Sequence, residues 1–195
     1  YGRSRGLGDV YKRQVKKMII SKQNLLSEQD RLSIVKDIEF ELKHNPSQNK
    51  DKPLYQTMVD IHEKYVKISK PWNNLFDKIF KIFIESKIKN GRFMTCWGMK
   101  QAKETNNYYH THLSNIEGDN KEINSEHFSD LSIVYYVQNK YPKYGTYIGI
   151  GNLHEGVQNS IVIFDASIPH RPPDIPEKVL QEEDRLILAM DFKYD

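Results

Sequence analysis

From Ser27 to His44 polar and apolar positions recur with the period of an amphipathic helix. Ser27 offers a capping hydroxyl, and Gln29 and Asp30 occupy the first turn, where an acid suits the helix dipole. Ile38, Phe40 and Leu42 alternate, which leaves the later part open to a strand. Asn45 to Pro53 is polar, holds two prolines and reads as a loop. Leu54, Met58, Ile61, Tyr65 and Ile68 return to helical spacing, and Pro71 is expected to interrupt it. Trp72, Leu75, Phe76, Ile79, Phe80 and Phe83 then form a strong apolar stripe that predicts a core-packing helix ending near Asn90-Gly91.

Beyond Gly91 the pattern changes. Residues 92–99, 107–113, 131–138, 145–151, 159–165 and 185–193 are short runs rich in Val, Ile, Tyr, Phe and Thr, the signature of strands. Turns are expected at Asn106-Asn107, Pro142 to Gly145, Gly156 to Asn159 and Pro169 to Pro176. Helices first and strands afterwards predict an α+β protein. Supporting helices in residues 18–90 would pack outside a β-sandwich or jelly roll in residues 91–195, all in one domain.

A chain of 195 residues can bury a core without disulfides or structural metals. Mixed charge and 11% aromatic residues argue against disorder. No apolar run is long enough to span a bilayer, and the N-terminal residues contain no apolar signal region. The single Cys96 precludes an internal disulfide, reads as a small buried residue and suits a reducing compartment, so a cytoplasmic location is expected.

The net charge of +3 is misleading. Asp9-Val10-Tyr11-Lys12-Arg13-Gln14 is the translation of GAT GTG TAT AAG AGA CAG, and in all six codons it resembles the mosaic-end adapter of transposon-based sequencing libraries. Residues 1–14 are therefore expected to be artefactual, with Met18 a candidate start and residues 1–17 outside the fold. Residues 1–17 carry six cations against Asp9, a net of +5, which leaves −2 for residues 18–195. The electrostatic case for a nucleic-acid partner disappears with them.

Seven histidines remain, and three stand out by context. His110 and His112, in Tyr-His-Thr-His, are spaced to share one face of a strand, from which two imidazoles can reach one metal ion. His170 follows the apolar run Ser160–Asp165 and would supply a third ligand from a distant strand. His127 and His154 read as solvated loop residues. Arg185, fifteen residues beyond His170, opens the apolar run Leu186–Met190 and suits a bidentate carboxylate. Tyr136 lies on the strand face opposite Tyr135, so one of the two phenols should point inward and need a polar partner.

With these pieces in order, residues 97–192 resemble the Fe(II)/2-oxoglutarate-dependent dioxygenases, in particular the prolyl-hydroxylase-like branch and its bacterial and phage relatives. The resemblance rests on Trp97, Tyr109–His112, Ser132–Val137, Gly145–Tyr147, Ile161–Asp165 with Pro169-His170, and Arg185 with its apolar strand. It implies a double-stranded β-helix whose His110 and His170 hold Fe(II), and whose Arg185 and Tyr136 hold the distal carboxylate of the cosubstrate 2-oxoglutarate. Reaction with O2 would then hydroxylate a substrate that the sequence does not identify.

One departure matters: the best-known pattern is His-x-Asp/Glu, and position 112 is His. Either His112 is the second ligand or Glu117 or Asp119, in the acidic segment Leu113–Asp130, supplies a carboxylate; that segment is also a candidate lid. Two rival readings stand beside the oxygenase. A three-histidine cupin-type enzyme would need no 2-oxoglutarate, and a non-catalytic jelly-roll module would not bring the histidines together.

Overall fold

The computed structural model describes residues 18–47, 56–100, 108–112, 129–176 and 185–195. The adapter-like residues 1–14 and the whole of 1–17 lie outside this set. Helix α1 (Glu28–His44) begins where the sequence places it: the Ser27 hydroxyl accepts a hydrogen bond from the Asp30 amide at 3.1 Å. It stays helical through Ile38, Phe40 and Leu42, which overturns the strand alternative. Ile34 and Ile38 lie one turn apart on the buried face, while Phe40 points outward.

The helical spacing from Leu54 to Ile68 yields only the short α2 (Ile61–Tyr65) among the described residues. Tertiary pairing wins just before it. Thr57 exchanges hydrogen bonds with Gly98, its amide donating to the Gly98 carbonyl and its hydroxyl accepting from the Gly98 amide, each at 2.9 Å. Pro71 does not interrupt a helix but opens one, α3 (Lys70–Glu85), because the first turn has no use for the missing N–H. Trp72, Leu75, Phe76, Ile79 and Phe83 are buried as the stripe predicts. Phe80 is the exception: it is 43% exposed and packs edge-on against Phe83 and Phe93.

The strands are β1 (Ile19–Lys22), β2 (Gly91–Lys100), β3 (Leu131–Gln138), β4 (Thr146–Ile148), β5 (Leu153–His154), β6 (Ser160–Asp165), β7 (His170–Arg171) and β8 (Leu186–Tyr194). Strand β1 falls in the stretch expected to be helical and pairs with β6. The expected strand 107–113 is, among the described residues, a single bridge between His110 and His170. Strand β7 sits inside the expected turn at Pro169–Pro176.

A five-stranded antiparallel sheet, in the order β1-β6-β3-β8-β2, faces a three-stranded sheet, β5-β4-β7. The central strands β3 and β6 are buried on both faces, and β8 is so over Leu186–Leu188. Leu131, Ile133, Tyr135, Val137, Ile161, Ile163, Leu188, Met190 and Phe192 meet α1 and α3 in the larger core. The alternate residues Val134, Tyr136, Val162, Phe164 and Ile187 meet Ile148 and Ile168 between the sheets. Among the described residues, no helix is long and apolar enough to cross a membrane.

Candidate metal centre

The candidate centre lies on the inter-sheet side. His110 and His170 exchange backbone hydrogen bonds, amide to carbonyl, at 3.0 and 2.9 Å. This bridge joins segments sixty residues apart and sets their imidazoles side by side, with ring centroids at 4.4 Å. The His112 amide donates to the Ala166 carbonyl at 3.1 Å, which holds the next inward position. The His112 ring lies 5.3 Å from that of His110 and 4.8 Å from that of His170. One ring nitrogen from each of His110, His112 and His170 lies within 4.8 Å of the others. Trp97 stacks beside His112 with centroids at 6.4 Å, and Phe164 meets His170 edge-on at 4.8 Å.

The tautomers can be read from the acceptors. His170 Nδ1 faces the Ile168 carbonyl at 3.0 Å, and His110 Nδ1 faces the Tyr108 carbonyl at 3.1 Å. A carbonyl only accepts, so each Nδ1 carries the proton and Nε2 carries the lone pair. His112 Nδ1 is hydrogen-bonded to the Asp191 carboxylate, with the same consequence. Burial and the neighbouring His110 and His112 push the His170 pKa down to about 3, so its imidazole is neutral near pH 7. Three imidazoles with one nitrogen each within 4.8 Å of the others fit a divalent transition metal, whose bonds to histidine nitrogen run about 2.0–2.1 Å for zinc.

Further along the same face of β3, Tyr136 lies four residues beyond Ser132, about 13 Å at the rise of a strand. The Tyr136 hydroxyl donates to the Thr146 hydroxyl at 2.8 Å. Arg185 is buried beside it: Nε donates to the Tyr144 carbonyl at 2.8 Å and Nη2 to the Gly145 carbonyl at 2.7 Å. The guanidinium carbon lies 5.6 Å from the Tyr136 ring centroid. Burial pushes the Arg185 pKa down to about 10, which still leaves it charged at neutral pH. A cation, a phenol and the Thr146 hydroxyl therefore cluster in an apolar space, the composition of a carboxylate-binding group.

The structure thus brings His110, His112 and His170 together, and Arg185 and Tyr136 together. His154 stands on β5 opposite Thr146, outside the three-histidine cluster. Cys96 is fully buried and burial raises its thiol pKa, as expected of a small core residue. Glu117, Asp119 and His127 lie outside the described residues, as does the rest of the acidic segment except Ser129 and Asp130. Sequence reasoning missed Thr146 and Asp191. The signal for Asp191 was present: it is the one carboxylate inside the run Leu186–Phe192, at an inward-facing register.

No protein-family model matches the chain, and no curated protein sequence matches it. Solved structures do. HygX from Streptomyces hygroscopicus, crystallised with nickel, 2-oxoglutarate and hygromycin B, superposes with a TM-score of 0.61 at 12% identity, covering 91% of this chain and 83% of that one. The viral collagen prolyl hydroxylase of Paramecium Bursaria Chlorella virus-1, in its 2OG complex, gives 0.57 at 13% identity, with 92% and 97% covered. A Pseudomonas putida prolyl-4-hydroxylase gives 0.53 at 13% identity, with 92% and 94% covered. The fold shared with these proteins is the double-stranded β-helix; in this chain α1 and α3 pack against its larger sheet.

Proposed function

We propose that this chain is a non-haem Fe(II)- and 2-oxoglutarate-dependent oxygenase that hydroxylates its substrate. The observation that carries the reading is the convergence of His110, His112 and His170 on the inter-sheet face that also holds the Arg185–Tyr136–Thr146 cluster. Nε2 of the three imidazoles would hold the metal. Arg185, with Tyr136 and Thr146, would bind the distal carboxylate of 2-oxoglutarate and so orient its keto-acid end toward the histidines. Val134, Ile148, Phe164, Ile168 and Ile187 would keep water from the space between. Iron so bound would supply the oxidative chemistry, in which 2-oxoglutarate and O2 yield succinate and CO2 as one oxygen atom enters a C–H bond of the substrate.

Anaerobic titration tests this reading. Fe(II) followed by 2-oxoglutarate should produce the visible charge-transfer absorption of a chelate in the wild type. His170→Ala should abolish it, because no described neighbour can replace the ligand. Fe(II) uptake without any response to 2-oxoglutarate would instead favour a three-histidine enzyme that does not use this cosubstrate. No Fe(II) uptake at all would favour a non-catalytic module.

A further inference from the structure

The centre is built from three histidines, and a carboxylate stands directly behind one of them. We propose that Asp191 is the positioning residue of the metal centre, fixing the ring of His112 and lending its anionic charge to the metal through that ring. The proposal rests on the reading of His110, His112 and His170 as the metal set.

Asp191 lies on β8 opposite Thr95 of β2 and Ser132 of β3. Its Oδ1 meets His112 Nδ1 and accepts from the Ser129 hydroxyl at 3.4 Å, while its Oδ2 accepts from the Thr95 hydroxyl at 2.9 Å. The carboxylate is therefore held from two sides before it meets the imidazole. The side chains of His112 and Asp191 are only 17% and 15% exposed, so the charge is poorly screened by water. Trp97 lies alongside His112, nearly parallel, with ring centroids 6.4 Å apart.

An ionised carboxylate is costly on the inner face of a sheet unless it is paired. Here its partner is an imidazole of the three-histidine cluster. A carboxylate bound to the distal nitrogen of a ligating histidine fixes the tautomer and raises ligand basicity, and removing such a partner typically costs about 10- to 100-fold in metal affinity. Asp191 thus supplies, one side chain further out, the negative charge that an Asp or Glu at position 112 would place on the metal itself.

The test is a double-mutant cycle read on metal binding alone, with Co(II) as a spectroscopic probe and Fe(II) under anaerobic conditions. Asp191→Asn keeps the size and an acceptor oxygen but removes the charge. It should weaken metal binding by about 10- to 100-fold and alter the Co(II) absorption bands, with Asp191→Ala weaker still. In a His112→Asp background, where a carboxylate reaches the metal directly, Asp191→Asn should cause no loss. Equal affinity for wild type and Asp191→Asn overturns the proposal. So does an equal loss in both backgrounds, which would mean that Asp191 ligates directly or acts only on the fold; the melting temperature of the metal-free variants identifies the second case. A wild type that takes up no metal overturns the metal-centre reading and this proposal with it, whereas normal wild-type uptake that is indifferent to Asp191 overturns this proposal alone.

Discussion

At the scale of single residues, Arg185 decides between the oxygenase and its rivals. Its planar fork matches a carboxylate, and its neighbours Tyr136 and Thr146 add polar contacts in a buried space. Truncating one partner of such a charge-assisted pair costs on the order of 2–5 kcal/mol, roughly thirty- to several-thousand-fold in affinity. Arg185→Ala should therefore raise the 2-oxoglutarate concentration needed for the chelate band by that factor while Fe(II) uptake stays near wild type. Arg185→Lys should fall between, since it keeps the charge and loses the fork. A chelate band indifferent to both substitutions would remove Arg185 from the cosubstrate site.

At the scale of elements, two local features carry separable consequences. Ser27 caps α1 on the helical side, away from the histidines, so Ser27→Ala should cost about 1 kcal/mol in denaturant melts and leave metal uptake unchanged. Gly145 sits where β4 approaches its neighbour: a Cβ there would lie 1.8 Å from the His154 carbonyl oxygen and 2.4 Å from the Gly156 amide nitrogen. Gly145→Ala must push the backbone apart, at a cost of about 1–3 kcal/mol by analogy with overpacked cores. Because the Gly145 carbonyl also accepts from Arg185, the same change should weaken the response to 2-oxoglutarate. Stability loss with an unaltered 2-oxoglutarate response would separate β4 from the Arg185 site.

At the scale of the whole molecule, the cluster makes stability depend on pH. His170 in the folded, metal-free protein binds a proton only near pH 3, whereas in the unfolded chain it does so near 6.5. The unfolded state therefore binds more protons between these values. The contribution of His170 is complete above about pH 6.5 and is lost as pH falls towards 3, with a slope of at most about 1.4 kcal/mol per pH unit. Urea melts of the metal-free protein should show this slope, and His170→Gln should flatten it. Bound metal should raise stability at neutral pH but steepen the loss on acidification, because it keeps protons off the folded-state histidines while the unfolded chain still takes them up.

Much of this protein was legible in one dimension. Strand runs such as Ser132–Val137 and Ile161–Asp165, the cap at Ser27 and the stripe of α3 are local patterns, set by side-chain chemistry and backbone period. That Tyr135 and Tyr136 face opposite ways followed from strand alternation, but both are buried, one in each core, and alternation did not say which meets the second sheet. What local pattern did not carry is which face of a doubly covered strand meets which layer, because Ile133 and Val134 are equally apolar, and only the second sheet and the helices tell them apart. Strand β7 was hidden inside a proline-rich turn because its partners, β4 and the His110 bridge, are distant in the chain. Asp191 escaped notice for the same reason: its meaning comes from His112, 79 residues away. The sequence determined which side chains could bind a metal, through residue chemistry. The tertiary structure decided which of them meet, because antiparallel pairing closes long loops and brings distant residues within hydrogen-bonding reach.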